Sequence, residues 1–216
     1  MESNNLIVDT PLDDGEEDLV GQHRITKTTA KKNLDILASF SSNLLAVLFN
    51  VYSQTLPQFR GFILRCINAY LSLTPAGELV GTFVKVTEML EGSLAESVAP
   101  TQAERERKKK TSPGDSMPPT AHTLMDLVIT ISPYLPAESY PQLLAIFTVV
   151  INKKDDPQLQ KKAYKVISRM VESQSGRKVL VDRVDELQKV LLEGAETATP
   201  PARRVGPTGA ICQVPG

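Results

Sequence analysis

Histidine, cysteine and paired carboxylates are the groups most often used for catalysis, and this chain scatters them. The two histidines, His23 and His122, stand far apart, one in an acidic N-terminal stretch and one at the start of a helical segment. No His/Cys or His/carboxylate spacing matches a metal site. Asp13-Asp14, Glu16-Glu17 and Asp155-Asp156 fall in a tail or at a helix start, where carboxylates are solvated or cap backbone N–H groups. There is no G-x-S-x-G, P-loop or G-x-G-x-x-G, and Gly176-Arg177-Lys178 lacks the upstream glycine and the strand that a phosphate loop needs. The expectation is a protein that is not an enzyme and takes no cofactor and no metal.

Spacing that suits binding is clearer. At about 100° per residue, with Lys161 at zero, Lys165 falls near 40°, Arg169 near 80° and Lys162 near 100°. Leu159, Ala163, Val166 and Met170 cluster at about 140–200°, with Ile167 near 240°, so the basic and apolar stripes are separate. Such a stripe can meet phosphates or an acidic partner, and it can equally be a solvated face. Tyr164 stands among the bases in sequence but falls near 300°, off the 0–100° basic stripe, so stacking on single strands has no support. A second basic cluster, Arg107, Lys108, Lys109 and Lys110, lies in a segment with no apolar pattern. It reads either as a nuclear-import address or as a plain charged linker, with Glu104 and Glu106 diluting its charge.

The elements that position the first stripe are helical. Tyr140, Leu143, Leu144, Phe147 and Ile151 share one helical face, a polar turn follows, and Asp156-Pro157 opens a second helix with an N-cap and a first-turn proline. The pair is one HEAT-like hairpin of roughly 40 residues. A unit of this kind cannot bury its apolar stripe alone and implies stacked neighbours.

Those neighbours are legible. From Lys31 a long helix runs to Leu56-Pro57, apolar nearly all round from Asn43 to Tyr52, which places it at the centre, covered on both sides. Ser41-Ser42-Asn43 can bend or split it. A second helix carries Phe59, Phe62, Ile63, Cys66, Tyr70 and Leu73 as its core stripe, with Arg60 and Arg65 off it. Thr74-Pro75 caps a third, with Leu79, Phe83, Val86, Met89, Leu90 and Leu94 facing inward. A fourth spans Thr120 to Leu135 and is kinked or ended at Pro133, and a last one spans Val181 to Glu193. Nothing alternates with period two, so strands are not expected.

The divisions expected are a disordered acidic arm at 1–28, helical repeats at 29–97, a disordered basic and Pro-rich insertion at 98–119, HEAT-like repeats at 120–196 and a disordered, aberrant tail at 197–216. Each repeat block has a plain apolar period; the insertion has four prolines and a charge run. The whole reads as an all-α solenoid of about seven helices.

The 216 residues carry 41% apolar side chains, no Trp and a net charge of −1, so any charge-driven binding must be local. Cys66 lies on an apolar stripe and reads as a small buried thiol; with Cys212 it forms no disulfide or metal spacing. The N-terminus lacks the basic region and apolar core of a secretory signal, and no apolar run nears the ~20 residues of a membrane span.

Two segments, NLLAVLFNVYSQTLPQFRGFILRCINAYLSLT (Asn43–Thr74) and DLVITISPYLPAESYPQLLAIFTVVINKKDDPQLQKKAYKVISRMVES (Asp126–Ser173), resemble the ribosomal RNA-processing protein 12 family, above all its fungal members. The strings LLAVLFNVYSQTLPQFRG and DPQLQKKAYKVI are the most specific, and the likeness runs from about Lys31 to Thr199. The resemblance implies a nuclear and nucleolar HEAT/armadillo-repeat factor that binds precursor ribosomal particles and ribosomal RNA. It further implies a part in rRNA processing and subunit export, with the transport GTPase Ran and nucleoporins as partners, and no membrane or small-molecule substrate. Full chains of that family are far longer, so this one reads as an internal group of repeats. Other readings are a transport-receptor-like module that grips protein, or a fragment inactive by itself.

Overall fold

A computed structural model describes residues 27–96, 117–153 and 156–197. Among them there are nine α-helices and no strand: α1 Lys27–Ser39, α2 Ser41–Gln54, α3 Arg60–Leu71, α4 Ala76–Glu96, α5 Thr120–Ile131, α6 Tyr140–Ile151, α7 Pro157–Glu172, α8 Gln174–Asp182 and α9 Val184–Thr197. The expectations for residues 1–26, for the insertion as far as residue 116 and for the tail after residue 197 lie outside the described residues, as does the Arg107–Lys110 cluster.

The helices pair in chain order. α2 packs on α3, α4 on α5 and α6 on α7, and α8 closes on α7. α5 is the central strut, touching α2, α3, α4 and α7. Its sequence suits that place. Thr123, Leu124, Met125, Leu127, Val128, Ile129 and Ile131 are all buried, so the helix is apolar on nearly every side. One continuous core runs from Leu45 of α2 through Phe83 of α4 and Phe147 of α6 to Leu191 of α9. This is an all-α solenoid of stacked HEAT hairpins, as the helical periods required.

Local chemistry sets the boundaries. The Asp156 carboxylate accepts the Leu159 N–H at 3.0 Å and Pro157 occupies the first turn of α7. Pro133 ends α5 by turning the chain into a short 3-10 turn, Ser132–Tyr134. The Ser173 hydroxyl accepts the Gly176 N–H at 2.9 Å and caps α8. Among the described residues no single helix is long and apolar enough to cross a membrane.

Several expectations are corrected. The first helix begins at Lys27, inside the supposed 1–28 arm; it divides into α1 and α2 with a bend of 61°, where the Ser41-Ser42-Asn43 cluster allowed a bend or split. α2 is not covered on both sides. Leu45 and Tyr52 are buried, but Val47 and Val51 are exposed. On α3 the core phase is rotated: Arg60, Ile67 and Leu71 are buried, while Phe59 and Phe62 are 66% and 67% exposed. Cys66 is only half-buried. Met89 is exposed although the rest of its stripe on α4 is buried. The Thr74 hydroxyl donates back to the Tyr70 carbonyl at 2.8 Å instead of capping α4. The last helix is a pair, α8 and α9, broken at Arg183.

Candidate functional site

A polar seam joins the repeats beside α5. Arg60, at the first position of α3, is 4% exposed. Its Nε donates to the Thr55 carbonyl at 2.7 Å, both terminal nitrogens lie 3.3 Å from Thr123 Oγ1, and the guanidinium stands 4.5 Å over the Tyr52 ring. A buried guanidinium is tolerated because hydrogen bonds and the ring face replace water. The Tyr52 hydroxyl donates across to Asp126 Oδ2 of α5 in a long bond of 3.4 Å. Burial, then the Asp126 charge, push that hydroxyl up to about 12, with Arg60 pulling against both.

From Asp126 the seam continues to α7. Lys162 Nζ donates to Asp126 Oδ2 at 2.7 Å and to the His122 carbonyl at 2.9 Å. His122 Nε2 lies 2.5 Å from Asp156 Oδ2, so the cap of α7 is tied to the first turn of α5. Burial pushes the Asp156 carboxyl up, but the His122 hydrogen bond, the Leu159 N–H and the His122 charge outweigh it and hold the group below its ordinary value.

Beyond this seam the surface opens into a groove of about 490 Å³. Ile129 and Thr130 of α5 sit with Tyr52 and Leu64 on one side and Lys165, Ser168, Arg169 and Glu172 of α7 on the other. Lys165 and Arg169 are exposed there. Arg169 pairs with Glu172 at 2.8 Å, an exposed i,i+3 contact of small energetic weight. Lys165 has no carboxylate partner among the described residues. A phosphate or carboxylate entering the groove would find two guanidinium or ammonium groups on one wall and hydroxyls of Thr130 and Ser168 nearby.

The four residues of the basic stripe therefore divide. Lys165 and Arg169 meet at the groove, and Lys161 is half-buried one turn before Lys165, outside the groove lining. Lys162, which by angle belongs to the stripe's edge, points instead into the seam, because Asp126 stands opposite it on α5. Tyr52, Arg60, Asp126 and His122 were not singled out by spacing. Their one sequence signal is a polar residue at an otherwise apolar stretch, as with Asp126 within TLMDLVITI.

These segments can be set beside known proteins. The model of the family described as Ribosomal RNA-processing protein 12, HEAT repeats, matches residues 2–55, starting well before the Lys31 limit read from the sequence. Ribosomal RNA-processing protein 12 of Saccharomyces cerevisiae is 34% identical over 180 residues, 83% of this chain and 14% of the relative. The putative ribosomal RNA-processing protein 12 of Schizosaccharomyces pombe is 30% identical over 205 residues, 94% of this chain and 16% of the relative. An RRP12-like protein of Gallus gallus is 28% identical over 174 residues, 76% of this chain and 12% of the relative. The chain thus spans about one-seventh of the length of the first relative. Identity sustained across the stacked hairpins on both sides of α5 carries the conclusion: this chain belongs to the ribosomal RNA-processing protein 12 family.

Proposed function

We propose that the chain is a non-enzymatic HEAT-repeat scaffold in ribosome biogenesis that contacts precursor ribosomal particles through phosphates of their RNA. The observation that carries this reading is the convergence of Lys165 and Arg169 on one groove, with Lys161 one turn away on the same helix. The relatives' printed names connect the family to ribosomal RNA processing, and the stacked-hairpin architecture suits wide contact rather than a closed reaction pocket. On this reading the protein acts in the nucleus and nucleolus and supports rRNA processing and subunit export. The Arg107–Lys110 cluster serves as import address, and Ran and nucleoporins are the transport partners.

The test is a triple charge reversal, Lys161→Glu, Lys165→Glu and Arg169→Glu. RNA affinity should fall and the slope of log affinity against log salt should flatten, by about 0.7–0.9 for each phosphate no longer neutralised, with helicity unchanged. Unchanged RNA affinity removes the reading.

A second reading, a module that grips protein, is favoured by the carboxylates of Asp126 and Glu172 in the same groove. Phosphate binding weakens steeply between low and moderate salt, whereas an apolar and mixed-charge protein contact responds far less.

A further inference from the structure

α2 and α3 each carry two apolar faces, and the fold covers one of each. On α2, with Leu45 at zero and about 100° per residue, Ser42, Phe49 and Asn50 fall near 60°, 40° and 140°, whereas Val51, Phe40 and Val47 fall near −120°, −140° and −160°. Ser42, Phe49 and Asn50 share a groove with α4, so the Val47 side is turned away from it. On α3, with Ile67 at zero, Leu64 near 60° opens towards α7, and Phe59, Cys66 and Phe62 lie on the other side at about −80° to −140°. The two helices pack on each other, and the sides turned away from these grooves carry Phe40, Val47, Val51, Phe59 and Phe62, all exposed. Exposed apolar side chains grouped on one side of neighbouring helices mark an interaction surface.

What can cover it is set by the bases on α3 and on α1, the helix that leads into α2. Arg65 stands 5.5 Å over the Phe62 ring, and Lys31 and Lys32 are exposed on α1, whose end runs into Phe40. Residues 2–26 lead directly into α1 and have the complementary chemistry. They hold the apolar runs Leu6-Ile7-Val8 and Leu19-Val20, separated by an acidic stretch with Asp9, Asp13, Asp14, Glu16, Glu17 and Asp18. The 13 residues of α1 span about 20 Å, well within the reach of the 25 residues before it. The family match over residues 2–55 includes this segment together with α1 and α2.

We propose that residues 2–26 of this chain dock on the exposed apolar side of α2 and α3, with Leu6–Val8 and Leu19–Val20 against Phe40, Val47, Val51, Phe59 and Phe62 and the acidic stretch against Arg65, Lys31 and Lys32. The segment then shields the exposed apolar side of α2 and α3 and leaves the basic groove free, since the groove opens on the opposite side of α3.

The experiment places the photo-crosslinker p-benzoylphenylalanine at position 62 of the full chain and, as reference, at position 149 on the exposed side of α6. Illumination should join position 62 to residues 2–26 of the same chain at several times the yield found from position 149. Arg65→Glu should lower the yield from position 62 at least twofold. Crosslinks confined to covalent dimers would make a second copy the occupant and overturn the proposal. Equal yields from positions 62 and 149 would overturn it as well.

Discussion

Lys162 Nζ lies 2.7 Å from Asp126 Oδ2, and this contact turns a residue of the basic stripe into an internal tie between α7 and α5. Both side chains are between one-fifth and one-third exposed, so the pair is worth more than a surface bridge yet escapes the full cost of burying two charges.

Lys162 and Lys165 should therefore behave differently. Lys162→Met leaves Asp126 half-buried with only the long Tyr52 bond, and should lower stability by about 1–3 kcal/mol in urea denaturation. Lys165→Met should stay within about 0.5 kcal/mol of the parent and weaken RNA binding instead. The reverse pattern would show that the seam and the groove have been assigned to the wrong lysines.

Arg60 should be hard to replace. Arg60→Met keeps much of the apolar stem but leaves the Thr55 carbonyl and Thr123 hydroxyl without their donor, for a loss of about 2–4 kcal/mol. Arg60→Lys should recover only part of it, because an ammonium cannot serve both acceptors and cover the Tyr52 ring. Thermal melts of the two variants check the order.

The Asp156 cap makes stability depend on acid. Its folded pKa is depressed, so its contribution is fully present above the ordinary 3.8 and is lost as pH falls through the lower folded value. Asp156→Ala should cost about 1 kcal/mol at neutral pH. The gap between variant and parent should close below pH 3.8, which paired urea titrations would reveal.

Gly176 should not accept alanine. A Cβ there would lie 2.1 Å from the Met170 carbonyl oxygen and 2.6 Å from Ser173 Oγ, both part of the turn from α7 to α8. Gly176→Ala should destabilise by about 1–3 kcal/mol, despite the better helix propensity of alanine. Gly81→Ala on α4, where a Cβ meets nothing within 4 Å, should raise stability by several tenths of a kcal/mol. A stable Gly176→Ala protein would mean that α8 can leave α7 at little cost.

The fold was legible where one face alone is apolar. α7 has its bases on one side and Leu159, Ala163, Val166 and Met170 on the other, and the helix lies as that division requires. α3 misled because it has two apolar faces. Phe59, Phe62 and Cys66 outweigh Ile67 and Leu71 in bulk, so the wheel points to the wrong stripe. The buried Arg60 that settles the phase depends on Thr123, which lies 63 residues further along. The bend at Phe40 was signalled by the adjoining Ser41-Ser42-Asn43 cluster, whereas the break at Arg183 has no proline or glycine to mark it.

By itself the sequence determined an all-α array of paired helices, their order, the Asp156 cap and a basic edge on α7. These are local properties, written in periods of 3.6 residues and in capping chemistry within one turn. Only the tertiary structure decided which face of α2 and α3 is core, which of the four bases remain at the surface, and that Lys162 is bound to Asp126. Those outcomes rest on residues distant in sequence meeting across helices, where the burial of a charge is settled by whether a partner stands opposite it.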